Sequence, residues 1–464
     1  MWPGRCPCVT RCRIRSVSVA PTVRSFSAEF DPLSLVARFP ERYPGILESG
    51  AVAADAGGDV RFDILPIASG EVLRAVSGGE RTDGGFLSAL ESWWRGLSLP
   101  RSPSPLPFSG GWLVYLGYEI AAEIEPRLDL PDSPESLAGL AIRTPAAWLR
   151  ERATGRAWLV AEEGCESLLD RFVADAAAMS GTRFASIPAI EVREESPERF
   201  LAAVRGALEY IAAGDVYQAN LSRRWWGESA APIDPVALYA RLRTVNPSPF
   251  GALLRHGDFA IVSSSPERLF CLRADTVSTR PIAGTRPRGA SSAEDADLIR
   301  SLLANEKERA EHVMLIDLER NDLGRVCRGG SVRVDEYMAI ETYAHVHHIV
   351  SNVVGQVRED VSPIEVIRAV FPGGTITGCP KVRCMQIIAE LEGVGRGAYT
   401  GSIGYLNRDG SGDFNILIRT LTVHGAMVAF RAGAGIVADS VPEQELAETR
   451  AKAKGLLRAF EVPA

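Results

Sequence analysis

The chain has 464 residues, of which 46% are hydrophobic and 23% are charged, and its net charge is −7. This length predicts about two or three domains and a substantial buried core. The negative charge gives no support to a general nucleic-acid-binding protein, and no run of apolar residues is long enough to predict a transmembrane helix. Eight scattered cysteines without a disulfide framework favour a reducing, cytoplasmic location.

The first 27 residues differ from the rest of the chain in composition. They contain Arg5, Arg11, Arg13, Arg15 and Arg24 and no acidic residue. The segment lacks the apolar core of a signal peptide, whereas arginine and serine without acids also describe a transit peptide. We predict a disordered extension over residues 1–27, or a start codon placed too early.

The rest of the chain divides near residue 190. Over residues 28–185, short strand-like runs alternate with proline and glycine turns. Over residues 190–460, helices and strands alternate, beginning with an amphipathic helix at Pro197–Ala213 and including a long helical segment at Ser292–Asp322. Many strands in hairpins, with separate long helices, predict an α+β fold rather than a doubly wound sheet.

Two helical segments each place a pair of carboxylates three residues apart on one face. Glu308 and Glu311 form the first pair, and Glu445 and Glu448 form the second, with Lys452 one turn further on. Four carboxylates from two helices suit Mg²⁺, which takes oxygen ligands and keeps several waters. The same spacing is also typical of an ordinary solvated helix face.

A glycine turn precedes the second carboxylate pair. Gly433 and Gly435 allow close approach of the backbone to another group. Ser440 and Glu443 have the spacing of a capping box, with Pro442 in the first turn, which predicts a helix start.

Several longer motifs accompany these acids and together resemble one family. They are Gln218-Ala-Asn-Leu-Ser, Ser265-Pro-Glu-Arg, Pro281-Ile-Ala-Gly-Thr-Arg-Pro-Arg, Ile316-Asp-Leu-Glu-Arg-Asn-Asp, His347-His-Ile-Val-Ser, Phe371-Pro-Gly-Gly-Thr-Ile-Thr-Gly-Cys-Pro-Lys and Ile418-Arg-Thr-Leu. In this order they resemble the chorismate-utilising enzymes, which include anthranilate, aminodeoxychorismate, isochorismate and salicylate synthases. The resemblance implies an α+β sandwich of two orthogonally packed β-sheets flanked by helices, like that of anthranilate synthase component I, with the active site in a central cleft.

The resemblance also implies roles for the charged residues. Glu311 and Glu448 match ligands of Mg²⁺, and Glu308 and Glu445 match acids that act through metal-bound waters. The metal would hold the ring carboxylate of chorismate, with Lys452 nearby.

The substrate's second carboxylate, on the enolpyruvyl group, has its own matching residues. Arg419 matches a clamp on this carboxylate, helped by Tyr399 and the backbone at Gly433. Glu267 matches the general acid that assists loss of the ring hydroxyl at carbon 4, which leaves poorly unless it is protonated. A glutamate in a turn after proline is equally typical of an ordinary surface residue.

Other matches carry less specific roles. His348 matches a histidine beside the enolpyruvyl group, although a buried structural histidine fits the pattern as well. Gly284, Thr285 and Thr377 match residues of the substrate pocket. Lys381 follows a proline in a glycine-rich turn and could form a structural ion pair.

Gln218 bears on the nucleophile. Isochorismate and salicylate synthases carry a lysine base at this position, whereas glutamine cannot remove a proton at neutral pH. The resemblance therefore leaves the two branches that use ammonia. Most motifs favour amination at carbon 4, which forms 4-amino-4-deoxychorismate, with anthranilate formation as the alternative. Ala283 favours the alternative, because many enzymes of the first branch carry a lysine there.

Three further expectations concern partners and regulation. No cysteine lies in a Gly-x-Cys-x-Gly nucleophile turn, so ammonia is expected from solution or from a separate glutamine amidotransferase subunit. A paralogue that binds chorismate or a partner without catalysis is a further alternative. The stretch from Gly45 to Glu48 and Ser49 resembles the tryptophan-inhibition site of anthranilate synthases, and it equally fits an ordinary strand.

Overall fold

The computed structural model describes residues 20–50, 61–78, 84–101, 103–179, 184–343 and 346–461. The strands in these residues are β1 (Thr22–Phe26), β2 (Gly45–Glu48), β3 (Phe62–Ile67), β4 (Val72–Val76), β5 (Gly111–Leu116), β6 (Leu137–Thr144), β7 (Ala146–Glu151), β8 (Ala157–Ala161), β9 (Arg193–Glu194), β10 (Gln218–Glu228), β11 (Phe250–His256), β12 (Phe259–Ser265), β13 (Arg268–Arg273), β14 (Thr276–Thr279), β15 (Ile282–Pro287), β16 (Arg333–Thr342), β17 (Val346–Gln356), β18 (Gly378–Cys379), β19 (Ser402–Asn407), β20 (Gly412–Asn415), β21 (Thr420–His424) and β22 (Met427–Ile436).

The helices in the same residues are α1 (Leu33–Arg38), α2 (Gly85–Leu97), α3 (Ala121–Ile124), α4 (Ser167–Ala177), α5 (Pro197–Ala212), α6 (Pro235–Val245), α7 (Ser292–Ala304), α8 (Glu306–Gly324), α9 (Pro363–Val370), α10 (Lys381–Glu392) and α11 (Pro442–Leu457). Short 3₁₀ turns occur at Tyr118–Ile120 and Gly374–Ile376. No helix in the described ranges is both long and apolar enough to cross a membrane.

The strands form two antiparallel sheets. The first has the order β1-β8-β7-β3-β2-β11-β12-β21-β22-β10-β18, and β9 also pairs with β10. The second has the order β15-β17-β14-β13-β20-β19-β5-β6-β4, and β16 also pairs with β17. Both sheets take strands from before and after residue 190, so the two sequence regions share one scaffold.

Apolar side chains of both sheets meet in a common core. Leu113 and Ile142 of the second sheet belong to one buried cluster with Leu254 and Ile261 of the first. Burial of such a side chain stabilises the fold by about 1.5–3 kcal/mol. The predicted α+β sandwich is confirmed.

Three local predictions need correction. Residues 1–27 are not wholly an extension, because β1 pairs with β8 along Ala157–Ala161; residues 1–19 lie outside the described ranges. The segment Ser292–Asp322 is not one helix, because Asn305 ends α7 and its side chain accepts a hydrogen bond from the Glu308 amide at the start of α8.

The predicted capping box at the start of α11 is wrong. The residue before the helix is Val441, with no side-chain cap. The Ser440 hydroxyl instead accepts a hydrogen bond from the Val437 amide at 3.1 Å. The serine therefore closes the preceding turn, a local alternative that serine side chains commonly offer to the backbone.

Candidate active site

Two glycines of β22 let polar side chains come close to the strand. A Cβ on Gly433 would lie 2.6 Å from the Tyr399 hydroxyl oxygen, and a Cβ on Gly435 would lie 2.7 Å from Gln218 Nε2. A larger residue would displace these groups, so the glycines place Tyr399 and Gln218 against the backbone of β22. The predicted close approach at this turn is therefore observed within the protein itself.

Two amide side chains on β10 are buried, and their oxygen atoms can still accept hydrogen bonds. Gln218 is 2% exposed and Asn220 is 9% exposed. Their carbonyl oxygens, Oε1 and Oδ1, have no hydrogen-bond partner in the part of the chain that the structure describes. Residues two apart on a strand face the same side. A buried carbonyl oxygen without a partner destabilises the fold by about 1–3 kcal/mol. We therefore interpret this face of β10, the β10 wall, as one side of a binding site whose ligand donates hydrogen bonds to the two oxygens.

Glu267 lies in the turn between β12 and β13 and is 5% exposed. Burial raises the pKa of its carboxyl to about 7, against the opposing influence of Thr375, the Ile282 backbone, Lys452 and Arg419. Its Oε1 atom has no hydrogen-bond partner among the described residues. Near neutral pH this carboxyl is partly protonated, which suits a general acid.

The sequence motif after Phe371 contains two threonines with different positions. The Thr377 hydroxyl is fully buried and donates to the Gly373 carbonyl at 3.0 Å, so it holds the loop. The Thr375 hydroxyl lies beside Glu267 and lowers the pKa of that carboxyl, against the effect of burial. Thr375, which the sequence analysis missed, is therefore closer to the proposed chemistry than Thr377.

His348 and Thr285 face each other on β17 and β15. The Thr285 hydroxyl and His348 Nδ1 are hydrogen-bonded at 2.9 Å. Burial, followed by the positive charge of Arg419, lowers the pKa of His348 to about 4. The imidazole is therefore neutral at pH 7, with one nitrogen able to donate and the other able to accept a hydrogen bond.

Arg419 has a left-handed backbone conformation, with φ of 51°. Burial lowers the pKa of its guanidinium, while the Glu267 carboxyl acts in the opposite direction. Its backbone carbonyl accepts a hydrogen bond from Ser264, but its guanidinium has no hydrogen bond or ion pair to any described residue. The strained backbone costs about 1–3 kcal/mol. An unpaired guanidinium held in this way suits a bidentate carboxylate.

The four predicted metal-site acids have different surroundings. Glu308 accepts a hydrogen bond from Arg286 at 2.6 Å through Oε1, and its buried Oε2 is unpaired within the described ranges. That Oε2 lies 2.4 Å from the position that a Cβ would take on Gly284, so the glycine makes room for it. Glu448 forms an ion pair with Lys452 at 2.7 Å.

Glu311 and Glu445 connect the two helices electrostatically. Burial raises the pKa of Glu311, and the neighbouring carboxylates Glu448 and Glu308 add to the rise. Burial also raises the pKa of Glu445, with a further contribution from Glu448. Carboxylates from α8 and α11 therefore lie close enough to repel one another, and a bound cation would relieve that repulsion.

The donor set fits Mg²⁺, although the acids do not form a closed cage. Among the described residues, no three His, Cys, Asp or Glu side chains are arranged to hold a metal ion directly. Mg²⁺ usually keeps several waters and binds one or two carboxylates. Oxygen-only donors, an unpaired buried Glu308 oxygen and mutually repelling carboxylates suit such an ion.

Lys452 connects the acids to the glycine strand. Its Nζ donates to the Gly433 carbonyl at 3.0 Å, in addition to its ion pair with Glu448. Lys381, by contrast, forms an ion pair with Asp322 at 2.5 Å and donates to the Val370 carbonyl. The structural ion pair considered for Lys381 is therefore observed.

The stretch that resembles a tryptophan site forms strand β2. Glu48 is 4% exposed and lies 3.2 Å from Arg243 and 3.4 Å from Arg152. The Ser49 amide donates to Asp63. The prediction that this stretch forms a strand is confirmed, and tryptophan binding stays a prediction.

Comparison with known proteins identifies the family. Residues 77–458 match the chorismate binding enzyme family. The chain is 42% identical to aminodeoxychorismate synthase component 1 of Bacillus subtilis (strain 168), over 82% of this chain and 83% of that protein. It is also 42% identical to anthranilate synthase component 1 of Aquifex aeolicus (strain VF5), over 78% of this chain and 77% of that protein.

Solved structures give the same result for the fold. The crystal structure of anthranilate synthase component I from Streptococcus pneumoniae TIGR4 matches with a TM-score of 0.77 and 30% identity, covering 87% of this chain and 94% of that one. The match of a single family over most of the length confirms the resemblance drawn from the motifs. The chain belongs to the chorismate-binding enzyme family.

Proposed function

We propose that this chain aminates chorismate with ammonia in a Mg²⁺-dependent reaction that gives 4-amino-4-deoxychorismate, a precursor of p-aminobenzoate and folate. The observation that carries most weight is the buried acid Glu267, with a pKa of about 7, which lies within range of the positive charge of the Arg419 guanidinium. An acid and a carboxylate clamp in one place suit a substrate that has a carboxylate and must lose a hydroxyl group.

The ring hydroxyl at carbon 4 is a poor leaving group unless it is protonated. Glu267 would give its proton to that oxygen, which departs as water. A carboxyl kept largely neutral by burial is suited to this step, because a fully ionised carboxylate has no proton to give. The neutral imidazole of His348, fixed by Thr285, would lie beside the enolpyruvyl group and contribute no charge.

The two carboxylates of the substrate would both be held near the C-terminal end of β22, one beside Gly433 and the other towards Gly435, where a Cβ would lie 3.7 Å from Glu311 Oε1. Arg419 and the Tyr399 hydroxyl would bind the enolpyruvyl carboxylate beside Gly433. Mg²⁺, when bound, would neutralise and orient the ring carboxylate. Glu311 and Glu448 would hold the metal directly, and Glu308 and Glu445 would hold its waters, which requires Glu448 to exchange its contact with Lys452.

Ammonia would bind at the β10 wall. The Gln218 and Asn220 carbonyl oxygens can accept N–H hydrogen bonds and leave the lone pair of ammonia free for attack. Neither amide can act as a base toward water, so the wall gives ammonia an advantage over hydroxide. We propose a separate glutamine amidotransferase subunit as the physiological source of ammonia.

The position of amination is the open chemical question, and one observation favours carbon 2. Ala283 cannot be a nucleophile, and Lys381, the alternative lysine, forms an ion pair with Asp322. Ammonia attack at carbon 2 needs no protein nucleophile and would lead to anthranilate. Our proposal of carbon 4 therefore requires ammonia to add there directly, and anthranilate synthesis is the second candidate.

Product analysis tests the proposal. Chorismate, Mg²⁺ and ammonium salt are incubated with the chain alone, and the product is treated with an aminodeoxychorismate lyase. p-Aminobenzoate that forms only after lyase addition would support amination at carbon 4. Anthranilate as the main product without a lyase would establish the second candidate. Unchanged activity in excess chelator would contradict the proposed metal site.

A further inference from the structure

A second buried carboxyl lies behind Glu267. Glu319, on α8, is 6% exposed. Its Oε1 atom lies 3.2 Å from the position that a Cβ would take on Gly374, the residue before Thr375. The proposed reaction gives Glu319 no role, although it lies on the same helix as the metal-site acids.

Glu319 shares its surroundings with one other acid and one lysine. Asp322 lies one helical turn further along α8 and is 3% exposed. Lys381 Nζ is 2.5 Å from Asp322 Oδ2. One lysine charge offsets only one of two buried carboxylates, and two adjacent buried carboxylates do not both ionise readily. The group therefore retains one proton near neutral pH.

The electrostatics place that proton on Glu319. Burial raises the pKa of Glu319, and Asp322 and Glu267 also raise it, while Lys381 and Thr279 oppose them. Burial also raises the pKa of Asp322, but Lys381 opposes this more directly through its ion pair. Of the two acids, Glu319 is therefore the one that holds the proton more readily.

A hydroxyl group beside Glu267 belongs to the residue that follows Gly374. Thr375 is next to Gly374, which Glu319 contacts, and its hydroxyl lies beside Glu267. The Thr375 hydroxyl is buried. A hydroxyl can accept one proton while it donates another, so Thr375 can join the two carboxyls.

The Asp322 and Lys381 pair faces water on its other side. Both residues line a cavity of about 710 Å³. Tyr217, on the wall of that cavity, is 71% exposed, so the cavity reaches the surface. The Asp322 and Lys381 pair is therefore within reach of solvent through this cavity.

We propose that Glu319 returns a proton to Glu267 after each turnover. This inference rests on the proposed function, in which Glu267 protonates the departing hydroxyl. As ammonia forms its bond to carbon 4 and the bond from carbon 4 to oxygen breaks, the oxygen takes the Glu267 proton and leaves as water. The new amine keeps its three protons as an ammonium group, so Glu267 is left as a carboxylate and each turnover consumes one proton. A proton then passes from Glu319 through the Thr375 hydroxyl to Glu267. Glu319 regains a proton from cavity water across the Asp322 and Lys381 pair.

Rapid-quench measurement of chorismate loss separates the first turnover from later ones. Glu319→Gln keeps the shape of the side chain but has no acidic proton to give. We expect its first turnover to keep the wild-type rate and its steady-state rate to fall about tenfold or more. Thr375→Val should behave in the same way, and Thr375→Ser should restore the steady-state rate because it keeps the hydroxyl.

The controls separate this role from structural damage and from failure of the proposed function. Glu306→Gln, an exposed substitution on α8, should leave both rates unchanged. Glu267→Gln should slow the first turnover itself; a normal first turnover in that variant would refute the acid assignment on which the inference rests. Equal loss of both rates in Glu319→Gln, or no loss of either, would overturn the relay.

Discussion

Two buried polar clusters lie side by side along β10, and they differ in how completely their hydrogen bonds are made. Around Ser222, the Glu392 carboxylate accepts hydrogen bonds from Arg396, Arg431 and the Ser222 amide and hydroxyl, at 2.7–3.1 Å. One step along the same face, the Asn220 and Gln218 carbonyl oxygens have no partner among the described residues.

The difference distinguishes groups that stabilise the fold from groups that are available to bind a ligand. Glu392 has a lowered pKa despite its burial, because Arg396 and Arg431 favour the charged form. Glu267 has a raised pKa, because the effect of burial outweighs the opposing effect of the more distant positive charges of Lys452 and Arg419. A completed cluster stabilises the strands and helix around it, whereas the atoms without partners in an incomplete cluster can still form hydrogen bonds with a ligand. Substitutions should therefore reduce stability in the first cluster and activity in the second.

The largest expected effect is on catalysis at Glu267. Glu267→Gln keeps the side-chain volume but removes the proton donor, so kcat should fall about 10²–10⁴-fold. The thermal unfolding midpoint should not fall, because a buried acid with an unpaired oxygen contributes little to stability. Turnover of chorismate with ammonium and Mg²⁺, measured beside thermal unfolding, checks both. A stable variant with normal kcat would place the acid elsewhere.

The completed cluster should show the opposite behaviour. Glu392→Ala leaves the Arg396 and Arg431 charges buried without their partner, and should lower the free energy of unfolding by about 3–5 kcal/mol. Glu390→Ala, an exposed substitution on the same helix, is the matched control and should change it by less than about 0.5 kcal/mol. Denaturant unfolding measures both variants. Similar values for the two would show that the cluster is not a structural anchor.

Removal of the Arg419 guanidinium should weaken substrate binding. Arg419→Met keeps a long side chain and the same left-handed backbone, and should cost about 2–5 kcal/mol in kcat/KM for chorismate, mainly through KM. Arg419→Lys keeps the charge but loses the bidentate geometry, so its loss should be smaller. If KM is unchanged in the methionine variant, the clamp lies elsewhere.

The sequence predicted the features of the molecule that follow from the spacing of residues along a helix. The carboxylate pairs on α8 and α11 follow from the helical repeat, and the amphipathic pattern of Pro197–Ala213 predicted α5 to within one residue of its end. Such patterns are local, because the chain's own geometry places residues three or four apart on one face.

What the sequence did not predict depends on tertiary contacts. Whether a threonine hydroxyl bonds its own loop, as Thr377 does, or faces Glu267, as Thr375 does, depends on the strand packed against the turn. The break at Asn305 depends on which of two local states the asparagine side chain stabilises. Asn220 was not selected because an asparagine in a strand becomes unusual only when the structure shows its oxygen buried and unpaired.

A smaller effect is expected at Asn220. Asn220→Ala removes one of the two unpaired carbonyl oxygens on the β10 wall and should raise KM for ammonia about tenfold, in line with the loss of about one hydrogen bond. The free energy of unfolding should not decrease, because no internal hydrogen bond is lost. Ser222→Ala is the contrasting control, since it removes partners of Glu392 and Arg431 and should reduce stability.

The smallest change in conditions that should distinguish the clusters is a shift in pH. Glu267 must be protonated to act, and burial raises its pKa to about 7. The rate should therefore be highest below pH 7 and fall as the pH rises through that value, approaching about tenfold loss per further unit. His348, with its pKa lowered to about 4, stays neutral across this range.

Because the fraction of free ammonia rises with pH and would hide the fall in rate, total ammonium must be adjusted to hold free ammonia constant. Glu392 stays ionised over the same interval, so unfolding measured in parallel should not follow the rate. A rate that is flat from pH 6 to 9 at constant free ammonia would mean that Glu267 does not give the proton.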